Sequence, residues 1–140
     1  MTSKPRLARR SLAEAAASSV LRQMEIDGLW VDPEAIATSK GIMVQAKPDI
    51  SHELGHYFIE GHPEALLTTG IHQSRAGFMS GDPFEQEADF FASALLMPEL
   101  PFKKAIADHD AGLTCIETLC KACETSLTAT AIRYSALTSD

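Results

Sequence analysis

The strongest constraint on the fold is the sequence HELGH at residues 52–56, which matches the pattern H-E-x-x-H. On a helix, side chains four positions apart lie on one face, so His52 and His56 can present two imidazole nitrogens to one metal ion. Glu53 lies beside that face, where it can take a proton from water activated by the ion and pass it to a leaving amine. Zinc suits this chemistry because it keeps an open coordination position and lowers the pKa of water to ~7. We therefore expect a metal-binding helix over 49–61.

This segment does not by itself complete the metal site. His62 would give the histidine spacing of the metzincin pattern, but that pattern has a glycine at the position that Ile59 holds here. The glycine comes two residues later, at Gly61, and a helix continuing to residue 60 carries His62 away from the ion. We expect His62 to be a loop histidine just beyond the helix C-terminus, where positive charge is favoured.

A second candidate for the third ligand is Glu85, on a helix expected over 82–97. Asp89 follows it by one turn on the same face, where it can accept the free ring N–H of a metal-bound histidine and fix its tautomer. Glu87 is the rival of Glu85, but it faces a different side of the helix. Charges in a largely apolar helix usually have a partner, which favours a site over a solvated face. The apolar residues around these charges are Phe84, Ala88, Phe90, Phe91, Ala92 and Leu95.

Composition and hydrophobic spacing predict one small α+β domain that is predominantly helical. The chain has 140 residues, 45% of them hydrophobic, which is enough for one core. Its net charge of −7 disfavours non-specific nucleic-acid binding, and no stretch approaches the ~18 apolar residues of a membrane span. Cys115, Cys120 and Cys123 lack the spacing of a disulfide framework and indicate packing residues in a reducing cytoplasm. The elements expected are helices over 5–27, 33–40, 49–61, 82–97 and 101–109, a strand over 42–46, and two short helices in the tail, 113–140.

Two separate segments, HELGHYFIEGH and EQEADFFASALLMP, together resemble the ImmA/IrrE family of small zinc metallopeptidases. The family hallmark is H-E-L-G-H followed by E-x-x-x-[N/D]-x-F-A-x-x-L-L-M-P. The likeness extends more loosely over most of the chain, including DPEAIATSKGIMV and the tail. It implies a minimal gluzincin-type core over 1–112, with a small sheet and a helical, helix-turn-helix-like tail.

The resemblance also implies roles for individual residues. One zinc ion per chain would be held by His52, His56 and Glu85, with Glu53 as general acid and base and Asp89 supporting a ligand. Members of this family are typically intracellular bacterial or phage proteins, and several cleave a repressor that carries a helix-turn-helix domain. A protein substrate of this kind is therefore the expected partner, with no membrane and no direct DNA binding.

The sequence departs from the family pattern before the metal-binding helix. Relatives carry further strands between the first strand and that helix, whereas only KPDIS separates them here. A zincin uses an edge strand beside its cleft to bind the substrate backbone, and a sheet of one strand is not stable alone. Two explanations stay open: a shortened member of the family, or a segment missing from the sequence between Pro48 and Ser51.

The tail leaves a different function open, because its helix–turn–helix rhythm, with Ser126 as N-cap, is also that of a DNA-binding module. The alternative is therefore a transcriptional regulator, or a toxin–antitoxin or phage-related binding module, whose zinc site is not catalytic. Arg133 is the only cation in the last helix, which favours a packing role for the tail. A peptidase also needs a donor that stabilises the oxyanion formed at the scissile carbonyl. The possible donors are His72, Tyr134, Tyr57 and Arg75, and the sequence gives no means of choosing among them.

Overall fold

The computed structural model describes residues 7–42, 50–59 and 82–138, and every regular element within these ranges is an α-helix. This confirms the predominantly helical fold. The strand expected over 42–46 lies outside the described residues except for Ile42, which is not in a strand, so the small β-sheet stays a prediction. The helices are α1 (Arg10–Gln23), α2 (Pro33–Ser39), α3 (Ile50–Phe58), α4 (Pro83–Leu96), α5 (Glu99–Ala107), α6 (Leu113–Cys123) and α7 (Leu127–Thr138).

Aspartate–proline pairs start two of these helices. The Asp32 carboxylate accepts hydrogen bonds from two backbone N–H groups at the start of α2, and the Asp82 carboxylate accepts one from Phe84 at the start of α4. In each case proline occupies the first helical position, where a missing N–H costs nothing. At the other end of α2, Gly41 has a φ of +70°, the left-handed conformation of a glycine C-cap.

Helix α1 ends earlier than the expected boundary at residue 27. Glu25 adopts a left-handed conformation with a φ of +56°, and its N–H bonds to the carbonyl of Arg22. The N–H of Ile26 then bonds to the carbonyl of Leu21 at 2.9 Å, which closes the helix in a Schellman motif. The motif normally carries glycine at the left-handed position, so the sequence predicted no end here.

Two further boundaries differ from expectation. Helix α5 starts at Glu99 rather than residue 101, because Pro101 falls in the first turn, where its missing N–H needs no partner. Helix α3 covers Ile50–Phe58, inside the predicted range of 49–61, and the described part of the chain stops at Ile59.

Helix α4 belongs to two hydrophobic clusters at once. Its Phe91, Ala94 and Leu95 pack with α1, α2 and α3 in the first cluster, whose other members include Val20, Ile36 and Leu54. Met97, at its C-terminal end, packs in the second cluster with Phe102 of α5 and with Cys115, Leu119 and Cys123 of α6, against which α7 lies. The tail is thereby joined through α4 to the first cluster, which includes α3, the helix that carries the HELGH sequence.

Polar contacts fix the tail on the rest of the chain. The Arg133 guanidinium of α7 is buried, donates from Nε to the carbonyl of Met97 at 3.0 Å and lies 3.4 Å from the Glu14 carboxylate of α1. Trp30, before α2, donates its indole N–H to Glu124 at the end of α6. The three cysteines are free thiols, two of them buried, as expected of packing residues. Within the described ranges, no helix has the length and apolar character needed to cross a membrane.

Candidate metal centre

Helices α3 and α4 bring the predicted site residues together. His52, Gly55 and His56 lie on one face of α3, and Glu85, Ala88 and Asp89 form the same i, i+3, i+4 set on α4. The two faces meet at Gly55, where an added Cβ would lie 3.0 Å from the Cα of Ala88. A close approach of this kind is a common reason for glycine inside a helix.

Glu85 reaches both histidines with its two carboxylate oxygens. Oε2 lies 2.8 Å from Nε2 of His52, and Oε1 lies 3.2 Å from Nε2 of His56. The three residues are buried, and their candidate ligand atoms all lie within 4.8 Å of one another. The imidazole rings meet edge to face with centroids 4.9 Å apart, so the two nitrogens converge on one point without stacking.

Asp89 occupies the other side of the His52 ring. Its Oδ1 lies 2.7 Å from Nδ1, and the pair is buried. A carboxylate at Nδ1 holds the N–H on that nitrogen, which leaves the Nε2 lone pair of the neutral ring directed at the cluster. This is the geometry that the spacing of Glu85 and Asp89 predicts.

The charge balance of the site favours a cation. Burial acts to lower the pKa of His52, but hydrogen bonds and charges from Asp89, then Glu85, outweigh it and raise the pKa to about 9. At neutral pH and without an ion, His52 is therefore protonated between two carboxylates. A metal ion can take the place of that proton, because the carboxylates stabilise either positive charge.

The residues present fit zinc. Two imidazole nitrogens and one carboxylate oxygen are a common donor set for a catalytic zinc ion. Donors on one tetrahedral zinc, bound at ~2.0–2.2 Å, lie about 3.4 Å apart. The two Glu85 oxygens lie 2.8 Å and 3.2 Å from the two nitrogens, and all the candidate ligand atoms lie within 4.8 Å of one another. Small side-chain adjustments would therefore let the three residues hold one ion.

Residues 45–135, about two thirds of the chain, match the IrrE N-terminal-like domain of a peptidase family. The chain belongs to this family. It is the ImmA/IrrE family that the two sequence segments resemble, and it supports a metallopeptidase-type, hydrolytic function. Comparisons with curated proteins and with solved structures returned no match.

Glu53 differs from the candidate ligands of this IrrE-type site in its exposure. It is partly exposed, whereas His52 beside it is buried. A general base must meet water and substrate, so partial exposure agrees with the role predicted for Glu53, and burial agrees with the role predicted for the histidines.

Glu87 is directed to a different partner. It is fully buried, and its carboxylate accepts hydrogen bonds from the backbone N–H of Arg9 at 2.9 Å and from the Arg9 guanidinium at 3.0 Å. These contacts place Glu87 against the start of α1 rather than in the cluster. The sequence did not predict this role of Arg9. The two residues are 78 positions apart, and no local sequence pattern links them.

The structure describes two of the four possible oxyanion donors. His72 and Arg75, like the rival ligand His62, lie outside the described residues. Tyr57, on α3, is 52% exposed and stands edge-on to Phe58.

Tyr134 packs in the second cluster, where its hydroxyl accepts the N–H of Gly112 at 3.2 Å. Met97 of that cluster lies twelve residues after Glu85, about 18 Å along α4 at 1.5 Å per residue. The structure therefore does not bring Tyr134 to the metal centre.

Proposed function

We propose that this member of the IrrE-type family is a zinc-dependent endopeptidase that hydrolyses a peptide bond in a protein substrate. The observation that carries the proposal is the buried cluster of His52, His56 and Glu85, with a partly exposed Glu53 beside it. Buried charges in proteins are paired or coordinate metals, and the family is one of peptidases.

Each residue has a separate task in this mechanism. His52, His56 and Glu85 would hold the ion, and Asp89 keeps the His52 ring in the orientation that binding needs. When bound, zinc would lower the pKa of water and polarise the scissile carbonyl. Glu53 accepts the proton of the attacking water and delivers it to the leaving amine, so one carboxylate serves both halves of the reaction.

We propose a DNA-binding repressor as the substrate. The support is the resemblance to family members that cleave proteins with a helix-turn-helix domain. Charge is consistent with it, because a chain with a net charge of −7 attracts basic proteins, and repressors present basic surfaces to DNA.

The alternative of a DNA-binding regulator with a non-catalytic zinc site is less well supported. Arg133, the cation of α7, is only 3% exposed and is engaged by Met97 and Glu14. A buried guanidinium cannot neutralise DNA phosphates, which is the main source of affinity in such modules. The contacts of α7 instead support a packing role for the tail.

The test is to replace Glu53 with Gln and to express the variant and the wild type with the product of the neighbouring gene, where that gene encodes a helix-turn-helix repressor. Wild type should cleave the repressor, seen as two new masses, whereas Glu53→Gln should bind zinc normally and lose at least about 100-fold of the cleavage rate, at the low end for general acid–base catalysis.

The matched control is Glu117→Gln, which alters an exposed glutamate of α6 and should cleave as wild type does. Cleavage by Glu53→Gln at the wild-type rate, with zinc bound, would refute the mechanism. A wild type that binds zinc and cleaves nothing would instead point to the non-catalytic alternative.

A further inference from the structure

The metal centre is built around a contact between two small residues. Gly55 is the middle member of the face that carries His52 and His56, and Ala88 is the middle member of the face that carries Glu85 and Asp89. The candidate ligand atoms and the Asp89 carboxylate thus lie on the residues that flank a close contact between α3 and α4.

This contact has no room for another atom. A Cβ added at Gly55 would lie 3.0 Å from Cα, 3.1 Å from the carbonyl oxygen and 3.2 Å from Cβ of Ala88, whereas ordinary contact begins at 3.4 Å. Two of the three neighbours are backbone atoms of α4, so no side-chain rotation can relieve the crowding. An added methyl group therefore requires α4 to give way by a few tenths of an ångström.

Metal binding is sensitive to a shift of that size. Asp89 reaches from α4 to Nδ1 of His52 on α3 at 2.7 Å, so helix separation lengthens the hydrogen bond that orients this ring. Loss of such an orienting partner typically lowers metal affinity by about 10- to 100-fold. Metal–ligand distances tolerate deviations of only about 0.2 Å. The separation of the two helices therefore bears directly on whether the three donors can serve one ion.

We propose that Gly55 is a positioning residue of the metal centre: its missing side chain sets the helix separation at which Asp89 of α4 can orient the His52 ring of α3. The inference rests on the proposed metal binding and adds a residue that touches neither the ion nor the substrate. Glycine is a poor helix former, so local helix stability alone favours alanine at this site. The close contact with Ala88 supplies the reason for glycine.

The test compares zinc affinity with the stability of the metal-free protein in the full chain. In Gly55→Ala, competition with a chromophoric chelator should show zinc binding weakened by about 10- to 100-fold, the range seen when residues that orient ligands are changed. The thermal midpoint without metal should shift by only a few degrees, because the better helix propensity of alanine offsets the crowding.

The matched control is Ala88→Gly, which removes the Cβ of α4 from the same contact. It should lower the thermal midpoint of the metal-free protein, since glycine weakens α4, while zinc affinity stays within about threefold of wild type. A residue with only a general packing role would move stability and affinity together in both variants.

The remaining outcomes are separable. Wild-type zinc affinity in a folded Gly55→Ala variant would overturn the inference, and so would an equal loss of affinity in Ala88→Gly. If Gly55→Ala does not fold, Ala88→Ser adds one atom to the same contact and should weaken zinc binding; unchanged binding there overturns the inference too. A wild type that fails to bind zinc would instead reject the proposed function.

Discussion

At the scale of single residues, the site depends on how His52 is held. Its two ring nitrogens meet two different carboxylates of α4, Asp89 at 2.7 Å and Glu85 at 2.8 Å. The first contact orients the ring, and the second places Nε2 where an ion can bind. The same two carboxylates make the ring a strong proton acceptor, so protons and metal compete for one nitrogen.

This competition predicts that a rise in pH lowers the stability of the metal-free protein and raises its affinity for zinc. The pKa of His52 rises from 6.5 to about 9 on folding, so its stabilising protonation is complete below pH 6.5 and is lost as pH approaches 9. Unfolding by urea in the presence of chelator should therefore show stability falling between pH 6.5 and 8.5. Zinc affinity should rise over the same interval, because fewer proteins must release a proton to bind the ion.

The control is His109→Gln, which removes an exposed histidine and should leave both pH profiles unchanged. A metal-free stability that stays constant or rises between pH 6.5 and 8.5 would show that His52 is not protonated between the two carboxylates.

At the scale of helices, the sequence predicts those features that short-range chemistry determines. The helix starts at Asp32 and Asp82 could be read directly, because an aspartate cap followed by proline acts within one turn. The end of α1 could not, since Glu25 holds a conformation that usually requires glycine.

The same distinction applies to the metal centre, where the sequence predicted some contacts and not others. The spacing of two histidines on α3, and of Glu85 and Asp89 on α4, predicted the groups that the structure brings together. The pairing of Glu87 with Arg9 could not be predicted, because it depends on how α1 packs against α4.

Arg133 links α7 to the C-terminal end of α4 and predicts a local effect on stability. Arg133→Met keeps an unbranched, apolar stem but removes the donor to the Met97 carbonyl and the partner of Glu14. We expect the free energy of unfolding to fall by about 1–3 kcal/mol, the cost of unpairing a buried acceptor, as measured in urea. Zinc affinity should change less than threefold, because Met97 lies far along α4 from Glu85.

Arg22→Met is the control, since it changes an exposed arginine of α1 by the same atoms. Equal stabilities of Arg133→Met and Arg22→Met would show that the buried contacts of Arg133 contribute nothing to holding the tail.

At the scale of the whole molecule, α4 makes the two hydrophobic clusters interdependent. It supplies Phe91 and Leu95 to the first cluster, and Met97, which caps its C-terminus, packs in the second. An element shared by two clusters cannot unfold in one and stay intact in the other. We therefore expect the described helices to unfold as one cooperative unit rather than as a core and a separable tail.

Trp30, the one tryptophan of the chain, allows a direct test. It contacts Glu124 at the end of α6, so its fluorescence reports on the tail, while far-UV circular dichroism reports on all the helices. The two signals should give the same urea midpoint. A fluorescence transition at lower urea than the loss of helix would mean that the tail unfolds by itself.

The division of the metal centre between two helices has a consequence for its synthesis. His52 and Glu85 are 33 positions apart, so at 5–20 residues per second the histidine pair emerges from the ribosome about 2–7 s before its third partner. During that interval the nascent chain offers two imidazoles and no bridging carboxylate. The set of three donors is thus complete only when α4 has been made and has folded onto α3.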